Sequence, residues 1–171
     1  MNPMQDIRIG KLTLNVGAGK DQKKLDNGLK LLETISGKKP TKTYTDKRIA
    51  GWGLRPGLPI GCKVTVRREE AKKLLTRLLG AKDNKLKPRQ FDNNGSLSFG
   101  IAEYIDVPET KYDPELGIMG FEVCVTLERP GFRIKRRRLK KRSVGHSHKI
   151  NQDDAIKFMK ENFKVKMGDE Q

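Results

Sequence analysis

Four groups of residues in this chain have the types and spacing from which chemistry could start. They are the glycine-bearing NVGAGKD at 15–21, the acid pairs Glu69-Glu70 and Asp153-Asp154, the histidines His146 and His148, and the run RIKRRRLKKR from Arg133 to Arg142. A Walker phosphate loop needs a glycine five residues before Gly19, where Leu14 stands, and a Ser or Thr after Lys20, where Asp21 stands. The dinucleotide fingerprint fails as well, because its third glycine falls on Gln22. NVGAGKD therefore reads as a strand-to-helix turn whose backbone amides could meet an RNA phosphate at the helix start. His146 and His148 could both touch one metal, but no Asp, Glu or Cys nearby completes a ligand set. The acid pairs sit where helices begin, so they complement the helix dipole better than they serve general acid or base chemistry. No nucleophile stands beside a base, and neither catalysis, nor a metal, nor a cofactor is expected.

The basic run is different. Every residue of it except Ile134 and Leu139 is cationic, so the segment repels itself and needs an acidic partner to become ordered. Nucleic acid is such a partner, because Lys and Arg that neutralise phosphates release condensed counterions and gain affinity without reading sequence. The excess is spread through the chain, which has 37 Lys plus Arg against 21 Asp plus Glu and a net charge of +16. Its 171 residues suffice for a single domain, 1–171, with a basic C-terminal extension from about 129. Hydrophobic residues make up 35%, low enough that a partner is expected to complete part of the surface. The two cysteines, Cys62 and Cys124, each lie in a strand-like segment with no second cysteine near, so no zinc pair or disulfide follows. The opening MNPMQDIRIG shows no export signal and no apolar run reaches membrane-spanning length. A reduced, cytosolic protein without a membrane partner is expected.

The elements that position these residues follow from periodicity. From Ile7 the chain alternates, with Leu12, Leu14 and Val16 on one face and Lys11, Thr13 and Asn15 on the other. A helix over 21–35 follows, with Leu25, Leu29 and Leu32 as its apolar stripe and Gly37 closing it. Thr41 to Tyr44 reads as an edge strand, and the glycines and prolines after it as a long exposed loop. Ile60, Cys62, Val64 and Val66 then alternate with Gly61, Lys63, Thr65 and Arg67, before a helix from Glu69 to Leu79. Leu97, Phe99 and Ile101 form one further strand, and Phe121, Val123, Val125 and Leu127 another, with EYIDVPETKYDPELGIMG projecting between them. A last helix, capped by Asn151, buries Ile156, Met159 and Phe163, and the tail after Met167 is expected to fray.

These elements predict an α+β fold, a mostly antiparallel sheet with helices on its apolar face and its polar face open. The open face carries Lys11, Thr13, Asn15, Lys63, Thr65 and Arg67, a slab suited to the shape, phosphates and 2′-hydroxyls of folded RNA. Trp52 has glycines for neighbours and little local core to join, so it is expected to meet a partner, with Arg55 beside it. Arg133, Arg136, Arg137 and Arg138 are expected phosphate anchors. A free RNA chaperone or translation regulator is the alternative use of such a surface.

LTLNVGAGK, ISGKKPTKTYTDKRIAGWGLRPGLPIGCKVTVR, GSLSFGIAEYI and YDPELGIMGFEV together resemble the large-subunit ribosomal protein number five family over nearly the whole chain. RPGFRIKRRR and VGHSHKI look like its archaeal and eukaryotic branch, and the short N-terminus points to an archaeon. The resemblance implies a non-catalytic protein of the central protuberance that holds 5S rRNA beside the large-subunit rRNA, among other large-subunit proteins. It implies that Asn15, Lys38 and Thr65 contact 5S rRNA, Lys38 standing where bacterial members carry glutamine. It implies that the loop Ala50 to Pro59, with Gly51, Trp52, Gly53, Arg55 and Gly57, reaches the P-site tRNA. The stretch Asp113 to Gly120 would then face the small-subunit head and its protein thirteen.

Overall fold

The computed structural model describes residues 2–168. In chain order its elements are β1 (Arg8–Gly17), α1 (Gln22–Ser36), β2 (Thr41–Tyr44), β3 (Pro59–Val66), α2 (Arg68–Gly80), β4 (Lys85–Leu86), β5 (Ser96–Ile101), β6 (Phe121–Glu128), α3 (Gln152–Phe163) and β7 (Lys166–Met167). Five strands form one antiparallel sheet in the order β2-β3-β1-β6-β5. The fold is α+β, as the alternation and the helical stripes predict.

β1 is the third of the five strands, with Leu12 opposite Val66 of β3 on one side and Val125 of β6 on the other. Leu12, Leu14, Val16, Cys62, Val64, Val66, Val123, Val125 and Leu127 are buried in one cluster with the apolar sides of the helices. The alternation is not continuous from Ile7. A register shift between Ile9 and Lys11 places a bulge at Gly10, and the extra residue reverses the parity of everything before it. Ile9 thus joins the core beside Leu127, while Arg8 turns to the other face beside Glu128.

α1 is started by Asp21, whose carboxylate accepts the amides of Lys23 and Lys24 at 3.0 and 3.2 Å, and ended by Gly37 at φ 64°. Its buried side is Leu25, Gly28, Leu31, Leu32 and Ile35, with Leu29 only half-buried, so the stripe is turned from the expected one. The reason is Gly28. A Cβ there would lie 3.0 Å from Cys62 Sγ and 3.1 Å from Val16 Cγ1, so the missing side chain lets the helix backbone settle onto the sheet along that line. α2 buries Ala71, Leu74, Leu75, Leu78 and Leu79, in agreement with its leucine pattern. α3 buries Ala155, Met159 and Phe163, whereas Ile156 is half-buried. Asn151 occupies the N-cap position of α3 without a capping hydrogen bond from its side chain.

The stretch between β5 and β6 projects less than its prolines suggest. Tyr104, Val107, Leu116 and Met119 are buried in the core cluster, and the Tyr104 hydroxyl accepts the Asp113 amide at 2.8 Å. Ile105, Tyr112 and Ile118 remain exposed. The short parallel pair β4–β7 was invisible to periodicity because two residues define no period. Of the tail expected to fray, residues 169–171 lie outside the described residues.

Burial pushes the Cys62 thiol up from 9.0 to about 11. The native state therefore holds this proton more tightly than the unfolded chain. Its contribution to stability is complete below pH 9 and is lost as the pH rises towards 11. The stability gap between the protein and Cys62→Ala should narrow by on the order of 2 kcal/mol between pH 8 and pH 11, read from urea unfolding. A gap that stays constant would contradict the burial of the thiol.

Candidate nucleic-acid interface

The alternation that buries the apolar residues sends their neighbours to the opposite face. Thr65, Thr13, Cys124 and Ser98 stand in one row across β3, β1, β6 and β5. Lys63, Asn15, Glu122 and Gly100 form the next row, with Thr41 of β2 beyond Lys63. Lys11, Thr126 and Ser96 form a third. Every residue in these rows is half-buried or exposed. Lys11, Thr13, Asn15, Lys63 and Thr65 are thus brought together as expected, and β5 and β6 extend the face with Ser96, Ser98, Glu122, Cys124 and Thr126. Those five carried a signal, since they alternate with the apolar residues that define β5 and β6.

Arg67, expected on this face, lies off it, and Lys38, an expected RNA contact, lies elsewhere as well. Arg67 follows the last residue of β3 and is exposed at the N-cap position of α2. There it joins Arg8, Arg68 and Lys72 around a cleft of about 500 Å³ floored by Ile7, Ile9 and Phe158. Lys38 follows α1 and its ammonium is paired with Glu70. The turn after β1 is also not an anion site, because the first free amides of α1 are already taken by the Asp21 carboxylate, whose charge repels phosphate.

Cys124 shows how the middle of the face is wired. Its thiol is raised by burial first and then by the charge and hydrogen bond of Glu122, with Lys11 acting in the opposite sense. At neutral pH the thiol is protonated.

The basic run reaches this face through one carboxylate. Glu128, with 13% of its side chain exposed, receives Arg136 Nη2 at 2.7 Å and Arg8 Nη2 at 3.4 Å. A Cβ on Gly10 would lie 2.7 Å from Glu128 Cδ, so the glycine of the bulge makes the room in which the carboxylate lies. Around this anchor Phe132 is buried, the Lys135 ammonium sits 4.9 Å from the centre of its ring, and Arg137 Nε donates to the Lys140 carbonyl at 2.9 Å. Arg133 and Arg138 are exposed and make no ion pair among the described residues. His148 turns inward, its Nε2 2.9 Å from the Pro130 carbonyl and its ring edge-on to Phe132, while His146 is exposed.

The loop between β2 and β3 is an ordered hairpin. Ile49 and Leu54 exchange backbone hydrogen bonds at 3.1 and 3.0 Å, Thr45 and Leu58 close its base, and Leu54 is buried. Its tip, Ala50–Trp52, is a 3₁₀ turn ended by Gly53 at φ 65°. Trp52 is 68% exposed, and Gly51, Gly53, Arg55 and Gly57 are exposed with it.

Two family models match this chain, one described as Ribosomal protein L5 over residues 2–55 and the other as the C-terminus of the same ribosomal family over residues 59–158. The chain belongs to the ribosomal protein L5 family. It is similar to the large ribosomal subunit protein uL5 of Nanoarchaeum equitans, 49% identical over 97% of this chain and 98% of the relative. It is likewise similar to those of Nitrosopumilus maritimus, 45% identical over 96% and 95%, and Methanosphaera stadtmanae, 43% identical over 96% and 98%. The role that goes with this family is structural and non-enzymatic, as a ribosome-bound constituent of the large subunit in the cytoplasm.

Glu128→Gln removes the charge that holds Arg8 and Arg136 together. A partly buried pair of this kind is worth about 1 kcal/mol, so backbone amides from Ile134 to Arg142 should exchange roughly fivefold faster, as read by hydrogen–deuterium exchange. Unchanged rates would show that Glu128 does not hold the run.

Proposed function

We propose that the protein anchors 5S rRNA in the central protuberance of the large subunit, beside the large-subunit rRNA, through the open face of its sheet. The observation that carries this reading is the five-stranded polar face, rich in hydroxyl, amide and ammonium groups, with no helix on it among the described residues and a largely buried apolar face behind it. Such a rigid platform suits an RNA surface read by shape and hydrogen bonding. Asn15 and Thr65 are direct contacts in its middle. Arg133, Arg137 and Arg138 are phosphate anchors beside it, and Lys38 and Arg67 are contacts on its margins.

The two loops have different chemistry and therefore different partners. Trp52 and Arg55 offer a stacking surface and a cation at the tip of a hairpin rooted by Leu54, which supports contact with the P-site tRNA through Gly51 to Gly57. The stretch 103–120 carries five carboxylates against the single Lys111. That charge repels RNA and supports a basic protein partner, the small-subunit protein thirteen, with Tyr112 and Ile118 exposed for apolar contact.

A free RNA chaperone or translation regulator would use the same face on many RNAs. Competition between 5S rRNA and tRNA at fixed salt separates the two, and equal affinity would favour the regulator. Mutations separate the sheet from the basic run. Asn15→Ala and Thr65→Ala should each weaken 5S rRNA binding by about 1 kcal/mol or more without altering its salt dependence. Removing Arg137 and Arg138 should flatten the slope of log affinity against log salt by about one unit for each phosphate no longer neutralised. Wild-type affinity in both sheet variants would take the sheet out of the interface.

A further inference from the structure

The open face holds two carboxylates in opposite circumstances. Glu128 at its rim is bound by Arg8 and Arg136. Glu122 is exposed in the row beyond Cys124, beside Asn15, and makes no ion pair among the described residues. Its neighbours in register are Asn15 on β1 and Gly100 on β5. The cation in the same row, Lys63, is two strands away, roughly 10 Å. A bare negative charge on a surface that meets phosphates repels them, unless donors face it in the complex.

Each ribose supplies one donor, its 2′-hydroxyl, so a side-by-side pair of donors that fills both carboxylate oxygens comes from a base edge. Adenine and cytosine present one amino group beside a ring acceptor, and uracil presents one N–H between two carbonyls. Guanine alone sets two donors, N1–H and N2–H, side by side, in the spacing of the two oxygens of a carboxylate. Its O6, next along the same edge, asks for a donor, and the Asn15 amide lies beside Glu122 in the row. On the other side Gly100 leaves space, since a Cβ there would meet nothing within 4 Å.

We propose that Glu122 is a specificity-determining residue that, with Asn15, reads the Watson–Crick edge of one unpaired guanine. Glu122 accepts from N1–H and N2–H, Asn15 donates to O6, and Gly100 leaves room beside them. This deepens the reading of the sheet as a 5S rRNA platform and rests on it.

The sign of one mutation decides the matter. If Glu122 only repels phosphate, Glu122→Gln tightens 5S rRNA binding. If it reads guanine, Glu122→Gln weakens binding by roughly 5- to 100-fold with the salt slope unchanged. Glu122→Lys also weakens it, despite the added positive charge. Kethoxal, which adds across N1 and N2 of unpaired guanines, supplies the second readout. The wild-type protein should shield at least one guanine of 5S rRNA that becomes reactive again, at saturating protein, with Glu122→Gln. Equal or tighter binding by Glu122→Gln, or an unchanged pattern of guanine protection, overturns the assignment while leaving the platform intact. A wild-type protein that does not bind 5S rRNA overturns both.

Discussion

One sheet with two chemically opposite faces is the constraint on which the rest of the structure depends. Because side chains along a strand point alternately up and down, a slip of one residue would exchange the faces entirely. β1 is the strand least free to slip, since Leu12, Leu14 and Val16 are held from both edges and from the helices above. Burying those residues fixes the direction of Thr13 and Asn15 as firmly as a direct interaction would. The polar face therefore has a defined arrangement in the free protein, and an RNA that docks there meets groups already in place.

The bulge at Gly10 is the one departure from this regularity, and it has a consequence far from the core. By reversing parity it brings Ile9 to the apolar side and Arg8 to the polar side, next to Glu128. The glycine also leaves the volume that the Glu128 side chain occupies. A half-buried carboxylate between two arginines is then the point at which a self-repelling cationic segment becomes attached to the sheet. The charge of Arg136 is partly offset within the molecule, so Arg133, Arg137 and Arg138 are more available to phosphate than Arg136 is.

Where a feature depended on period or on a single local residue, it could be read from the chain. The four long strands, the edge strand at Thr41–Tyr44, the three helices and Gly37 at the end of α1 belong to this class, as do the five polar residues of β1 and β3. What could not be read depends on contacts between distant residues. Leu29 has the spacing of a core residue, but the close approach of Gly28 to Cys62 and Val16 turns Leu31 inward and leaves Leu29 half-buried. Arg8 and Glu128 are 120 residues apart, and nothing local marks either as the other's partner. Nothing near Lys38 in the chain marks Glu70 as its partner, yet the two are paired. The stretch 103–120 has the prolines of an exposed loop, yet Tyr104, Val107, Leu116 and Met119 root it in the core. Isolated apolar residues without a period carry no direction.

A molecule with a net charge of +16 would attract phosphate over its whole surface if its charge were uniform, and orientation on RNA would be poor. Here the charge is sorted. Cations are concentrated in the run beside the open face, which itself is mostly neutral and hydrogen-bonding. The 103–120 stretch is acidic, and the hairpin between β2 and β3 ends in an indole. In the proposed mode of binding, long-range attraction brings RNA to the basic side with the acidic stretch turned from it, and short-range hydrogen bonds then settle register on the sheet. Both stages need the same rigid platform, because a charge distribution can orient a partner only if the groups that bear it are held in fixed relation to the groups that read it.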